Sequence, residues 1–221
     1  MGVFLKQQTG RTATTRGAVL AAGVLAAACV ATLGVGNALA DAAVPTDGAA
    51  KACVTVKQLA PWANCANSDL PNIDATDHDM HGINLSHSNL TRTWLIHANL
   101  TGAKLGAADL TGTDGRDANL SRADLSDIEF GGGDLFGANL TGANLTGANL
   151  TDIRLQSANL TGGVKLTDAN LTRANLTDAN LVRANLTRAN LTDANLARAN
   201  LSGATWTDGR TCAKGSIGQC N

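Results

Sequence analysis

The 221-residue chain has no tyrosine, only three phenylalanines, three tryptophans and three prolines, and its aromatic residues amount to 3%. Aromatic side chains usually dominate the energetics of a wide core. Their scarcity excludes such a core and favours a narrow interior filled by Leu and Ala. A surplus of one charge is missing too: 17 basic residues stand against 18 acidic ones, a net of −1. There is no basic stripe, so nucleic acid is not an expected partner. Catalytic pairings are equally scarce. No nucleophile stands at a recognisable spacing from any of the four histidines, so hydrolytic chemistry lacks support. Gly131-Gly132-Gly133 is not followed by the GK[ST] of a phosphate loop, and a distorted corner is expected there. The chain is not expected to be an enzyme, and no residue is assigned a catalytic, cofactor-binding or metal-binding role.

What the sequence has in abundance is one five-residue phrase. "TDANLTRANLTDANLVRANLTRANLTDANL", residues 167–196, repeats it six times. Five residues of α-helix advance about 500°, so successive Leu would circle the cylinder instead of sharing a face. In a flat strand the side chains alternate with period two, and an odd spacing sends each Leu to the opposite side. The chain must therefore turn once per pentad, always the same way, to return every Leu to one axis. Self-similarity at a short fixed period is the mark of a solenoid.

The phase can be followed from Leu70 through Leu85, Leu90, Leu95, Leu100, Leu105, Leu110, Leu120 and Leu125, then from Leu135 to Leu160. Met80 and Phe130 substitute in register, and Gly115 leaves a gap. At Gly162-Gly163 one residue is extra; the phase restarts at Leu166 and runs to Leu201 and Trp206. Two residues before each centre the side chain is small, usually Ala, so Leu and Ala form the inward face. The Asn or Asp between them, and the Thr and variable residue that follow, face water. The double glycine suits an outward bulge at a corner, because glycine reaches backbone conformations closed to other residues.

The A(N/D)LTx phrase, repeated from about residue 68 to 206, resembles the pentapeptide-repeat family. The resemblance implies an all-β fold, a right-handed quadrilateral β-helix with four pentads to a coil, here about seven coils. The charges agree with twenty residues per coil. That spacing stacks Asp168 with Arg188, Arg173 with Asp193 and Asp178 with Arg198, all opposite pairs; fifteen would stack Arg173 on Arg188 and Asp178 on Asp193. It also aligns Asp77, His97 and Asp117.

The ends speak of compartment. Lys6, Arg11 and Arg16 precede an uncharged stretch from Gly17 to Ala40 that closes on Ala38-Leu39-Ala40, the pattern of a secretory signal. Residues 1–40 are read as signal peptide with cleavage before Asp41, and the mature chain as secreted. The rival is a membrane anchor through residues 17–40, since about 20 apolar residues can span a bilayer. A lipoprotein site at Cys29 is weaker, because Ala26-Ala27-Ala28 lacks a large residue three before it. Loss of the signal leaves Cys53 and Cys65 before the solenoid and Cys212 and Cys220 after it. An even number of cysteines in an exported chain fits disulfides. A solenoid of seven coils would hold the two pairs too far apart for crossed bonds, so Cys53–Cys65 and Cys212–Cys220 are expected. Residues 41–67 then form an N-terminal linker and cap, 68–206 the solenoid, and 207–221 a disulfide-bonded C-terminal cap.

Other motifs carry less. The recurrent NLT matches a glycosylation acceptor but falls out of the repeat register. "DATDHDMHGINLSH" gathers Asp74, Asp77, His78, Asp79, His81 and His87, ligand types that could hold a transition metal; no known spacing is matched, His78 is expected inward, and an irregular first coil with polar filling is preferred. The leading function is a rigid scaffold or protein-interaction surface with an unidentified protein partner, with a homodimer also open. Some members of the family mimic DNA and bind topoisomerases, which needs a strongly acidic surface and a cytoplasmic location. Without its three leader basics the chain carries 14 basic and 18 acidic residues, only −4. A third reading is ice or crystal-surface binding, from columns such as Thr167 over Thr187 and Thr172 over Thr192, although Arg and Asp interrupt those faces.

Overall fold

The structure is a computed structural model that describes residues 53–221. The expected leader, its expected cleavage site and the start of the N-terminal linker lie outside the described residues. From Asn64 onward the chain repeats a two-residue turn followed by a single bridged residue. One column of parallel bridges joins Asn64, Asn84, Lys104, Asp124, Asn144, Lys165, Asn185 and Thr205. Partners are twenty residues apart except across the double glycine, so one coil is four pentads, and these eight rungs bound seven coils. The ladder begins one pentad before residue 68. Cys65, fully buried, occupies the slot that Leu fills later, and a repeat tracked by its Leu could not include it.

Each pentad turns because of one backbone conformation. The second residue after each Leu has positive φ, as at Arg173 (57°), Asp178 (59°) and Gly142 (69°). Asp, Asn and Gly tolerate this region, whereas Ala107 (53°) and the Arg corners hold it against their preference. The turn closes when the inward Ala donates to the preceding Leu carbonyl, as from Ala174 to Leu171 at 3.0 Å. Most of the remaining backbone pairs between coils: Leu176 N–H donates forward to Asn195 O at 2.8 Å, and Asn175 N–H donates back to Ile153 O at 2.9 Å. The period of five therefore satisfies the main chain and the bore together.

Leu and Ala fill the axis as the repeat requires; Leu145, Leu176, Ala143 and Ala174 are all buried. Polar residues in the small slot are tied down. Thr93 and Thr113 hydroxyls donate to the carbonyls of Leu70 and Leu90, and Ser88 donates to Cys65 O. Two glycines are space for large inward neighbours, Phe130 and Leu135. A Cβ on Gly133 would lie 2.5 Å from that ring, and one on Gly115 would lie 2.9 Å from Leu135 Cδ2. The gap at Gly115 is thus filled from the next coil. Residues 131–133 also form a regular corner, not the distorted one expected from three glycines, because Gly132 (φ 65°) takes the ordinary turn position.

The extra residue is absorbed at one corner. Gly162 (φ 71°) and Gly163 (φ 75°) are exposed, while Val164 and Leu166 return to the buried face. The N–H groups of residues 162–164 find no backbone acceptor among the described residues, and bridges over the slip span 21 residues, as in Asn144 with Lys165, before returning to 20.

Each end carries a separate capping device. A single 3-10 turn, Val56–Gln58, lies before the first coil, and Cys53 is bonded to Cys65 with Cα atoms 5.1 Å apart. At the other end the chain reverses. Thr211 pairs antiparallel with Thr205, Ile217 with Asn200, and Cys212 is bonded to Cys220 with Cα atoms 4.9 Å apart.

Candidate functional site

With the bore sealed by Leu and Ala, chemistry is confined to the outward positions. The Asn before each Leu works in two directions. Its Oδ1 receives the N–H, and often the hydroxyl, of the Thr two residues on: Thr141 donates to Asn139 from both groups, at 3.1 and 2.6 Å. Its Nδ2 reaches the preceding coil, as from Asn84 to Asn64 at 2.9 Å, Asn99 to Asp79 at 2.8 Å and Asn149 to Glu129 at 2.6 Å. Such Asx turns fix the corner and stack the faces at once. The Thr columns proposed for ice recognition are therefore engaged: Thr172 and Thr187 spend their hydroxyl protons on Asn170 and Asn185.

Two of the three charge pairs expected from twenty-residue stacking form. Arg188 meets Asp168 at 2.6 Å and Arg198 meets Asp178 at 2.5 Å. The third does not. Arg173 turns the other way, onto Asp152 at 2.5 Å, and leaves Asp193 without an ion pair among the described residues. Asp152 lies 21 residues earlier, so counting by twenty across the double glycine misses it. Hydrogen bonds from these guanidinium groups hold the carboxyls of Asp152, Asp168 and Asp178 below the ordinary carboxylate range. Asp114 is lowered in the same way, chiefly by Arg116 beside it.

The Asp/His segment opens out along the first coils. His97 Nδ1 lies 3.2 Å from Asp77 and its Nε2 3.8 Å from Asp117, so the aligned trio is a surface ladder. His81 Nδ1 sits 2.8 Å from Asp79, with its ring edge-on to Trp62. His78 is half-buried, its Nδ1 3.0 Å from the Thr76 carbonyl. Among the described residues no three His, Cys, Asp or Glu side chains converge on a metal-sized site. What stands out is apolar. Trp94 (46% exposed) and Phe136 (43%) project from the same stack of pentads, two coils apart. Between and beside them lie Arg116 paired with Asp114 and Arg154 paired with Asp134. Sequence periodicity gave no signal for this patch, because neither residue occupies an inward position.

The geometry defines a four-sided β-solenoid made of five-residue rungs. The family model described as "Pentapeptide repeats" matches residues 63–102, 95–132, 134–163 and 164–205, in eight copies. The chain belongs to the pentapeptide-repeat family, and its fold is that family's right-handed quadrilateral β-helix. Among solved structures it is similar to HetL, a pentapeptide repeat protein involved in heterocyst differentiation regulation in Nostoc sp. strain PCC 7120. The identity is 30%, over 66% of this chain and 73% of HetL, with a TM-score of 0.43. It is also similar to QnrB1, a plasmid-mediated fluoroquinolone resistance protein, at 19% identity over 62% and 76% of the two chains, TM-score 0.35. Rfr23 from Cyanothece 51142 shares 28% identity over 46% of this chain and 78% of Rfr23, TM-score 0.27. A comparison with curated proteins gave no match.

Proposed function

We propose that the protein is an exported, non-enzymatic scaffold that binds a protein partner across the solenoid face bearing Trp94 and Phe136. The observation that carries this reading is that face itself. Elsewhere the outward positions are mainly Asn, Thr and charged side chains bonded to one another, whereas these two aromatic groups are half-exposed beside the guanidinium groups of Arg116 and Arg154. Aromatic residues and Arg are the groups enriched at the energetic centres of protein interfaces. Disulfides at both ends of the ladder support an oxidising location, in keeping with the leader. The test is capture from the extracellular and envelope fractions with the mature chain, compared with Trp94→Ser/Phe136→Ser. Both substitutions replace exposed side chains, so the double variant should fold normally. A partner captured by the wild type and lost by the double variant supports the proposal; a partner retained by the variant, or found only in cytoplasm, overturns it.

A further inference from the structure

The C-terminal cap covers only half of the last coil. Thr211 pairs over Thr205 and Ile217 over Asn200, so two adjacent faces are closed. The other two, centred on Asn190 and Asn195, have no described strand beneath them. There the N–H groups of Leu191, Asp193, Leu196 and Arg198 and the carbonyls of Ala189 and Ala194 lack backbone partners. Leu191 and Leu196 are correspondingly only half-buried, unlike Leu171 and Leu176 above them. The cap strands have a free edge of their own, since the N–H and C=O of Thr211 and of Ile217 point away from the coil they cover and are unpaired. An open strand edge with unspent donors and acceptors is a template for another strand.

We infer that this stepped end is a self-complementary joint, and that its occupant is a second copy of the chain. A twofold axis perpendicular to the solenoid, through the corner at Arg198, carries the open faces of one copy onto the capped faces of the other. Each cap then supplies the missing half-coil of its partner. The reversal of the chain in the cap makes its strands parallel to the open strands of the other copy, which is the pairing used throughout the solenoid. The register also fits. Within the solenoid, Lys104 N–H donates to Ile83 O while Leu85 N–H donates to Lys104 O. By the same rule a partner's Thr211 would bond Ala189 O and Leu191 N–H, and its Ile217 would bond Ala194 O and Leu196 N–H. All these groups are free.

The charges agree with that placement. The corner between the two open faces carries Asp193, which forms no ion pair among the described residues because the nearby Arg173 binds Asp152 instead. The same axis brings to it the cap turn at the opposite corner, Ala213–Gly215, where Gly215 N–H bonds Ser202 Oγ. Lys214, with no ion-pair partner among the described residues, lies at the tip of that turn. The N-terminal end lacks this invitation. The corresponding edge positions there are Asp69, Asp74 and Asp79, like charges that oppose face-to-face pairing. This inference is independent of export and of the face bearing Trp94.

The experiment mixes unlabelled and nitrogen-15-labelled full-length chains, treats them with a zero-length carbodiimide, and maps cross-linked peptides by mass. The expected result is a mixed-isotope bond between Asp193 and Lys214. It should be lost in Asp193→Asn and in Lys214→Gln, and association should return in the charge-swapped Asp193→Lys/Lys214→Asp pair, followed by sedimentation. Both side chains are at the surface, so these variants keep the fold. A mixed-isotope bond that persists elsewhere while 193–214 is absent would place the contact on another surface. A monomer at all concentrations would leave the step uncovered. Either result overturns the joint.

Discussion

A single Leu in this molecule has one neighbourhood above it and one below, and little else. Leu145 and Leu176 are fully buried in a bore occupied mainly by Leu and Ala, whose short side chains cannot reach far into a void. Leu→Ala at either should therefore cost about 2–5 kcal/mol by urea denaturation. Asn144→Ser should cost about 1 kcal/mol, because Asn144 faces water but holds Asp124 and Thr146 by hydrogen bonds. Equal effects at the two kinds of position would mean that the inward register is wrong. These inward residues were legible in the sequence because the five-residue period admits only one buried face. Phe130 was legible as a substitute for Leu, but its accommodation was not. The space comes from Gly133, while Gly115 makes room for Leu135 of the next coil, and reading glycines as signs of distortion misses that role. Trp94 and Phe136 were invisible for the opposite reason: the repeat leaves outward residues free, so periodicity carries no information about them.

The corner is the element that gives the protein its charge chemistry. Arg188, Arg198 and Arg173 each bond an Asp one coil away, and these hydrogen bonds lower the pKa of Asp168, Asp178 and Asp152. In the unfolded chain the same carboxyls titrate near 3.9. A depressed folded pKa means the unfolded state takes up protons first as pH falls. The contribution is therefore fully present above about pH 4 and is lost on acidification through the lower, folded values. Melting temperature should be flat across neutrality and fall below about pH 4, more gently for Asp178→Asn than for the wild type; an unchanged acid limb in that variant would deny the pair any part in stability. The pairs are exposed, so each contributes modestly. Two of the three pairs followed from counting by twenty, and the third failed where the count itself changes. The double glycine that shifts the register is a bulge whose three N–H groups, residues 162–164, have no backbone acceptor. Deleting Gly163 should restore twenty-residue pairing between Ala143–Asn144 and the next coil, and leave the melting temperature equal or higher. Unfolding on deletion would show that the later coils depend on the bulge.

The solenoid is nearly one-dimensional, since each coil packs only on its neighbours and stability is a sum of coils and the contacts between them. Opening should then begin at the ends, and the two disulfides stand where such opening would start. They bridge separations of 12 and 8 residues, and closing loops of this size contributes about 2–3 kcal/mol each. The C-terminal bond holds the cap strands on Asn200 and Thr205, so its removal should act locally before it acts globally. Cys212→Ser/Cys220→Ser should accelerate hydrogen exchange most at Leu201, Gly203 and Thr205, whose N–H groups bond Ser216 O, Cys212 O and Ala184 O. Leu145, in the middle of the stack, should exchange as slowly as before under native conditions. The amides of Leu191 and Leu196 supply an internal control. They have no backbone acceptor among the described residues and should exchange rapidly in dilute protein whether or not the disulfide is present. A uniform acceleration from Leu85 to Leu201 would instead mean that the coils open as a single cooperative block, and that the cap secures the whole stack and not only its last turn.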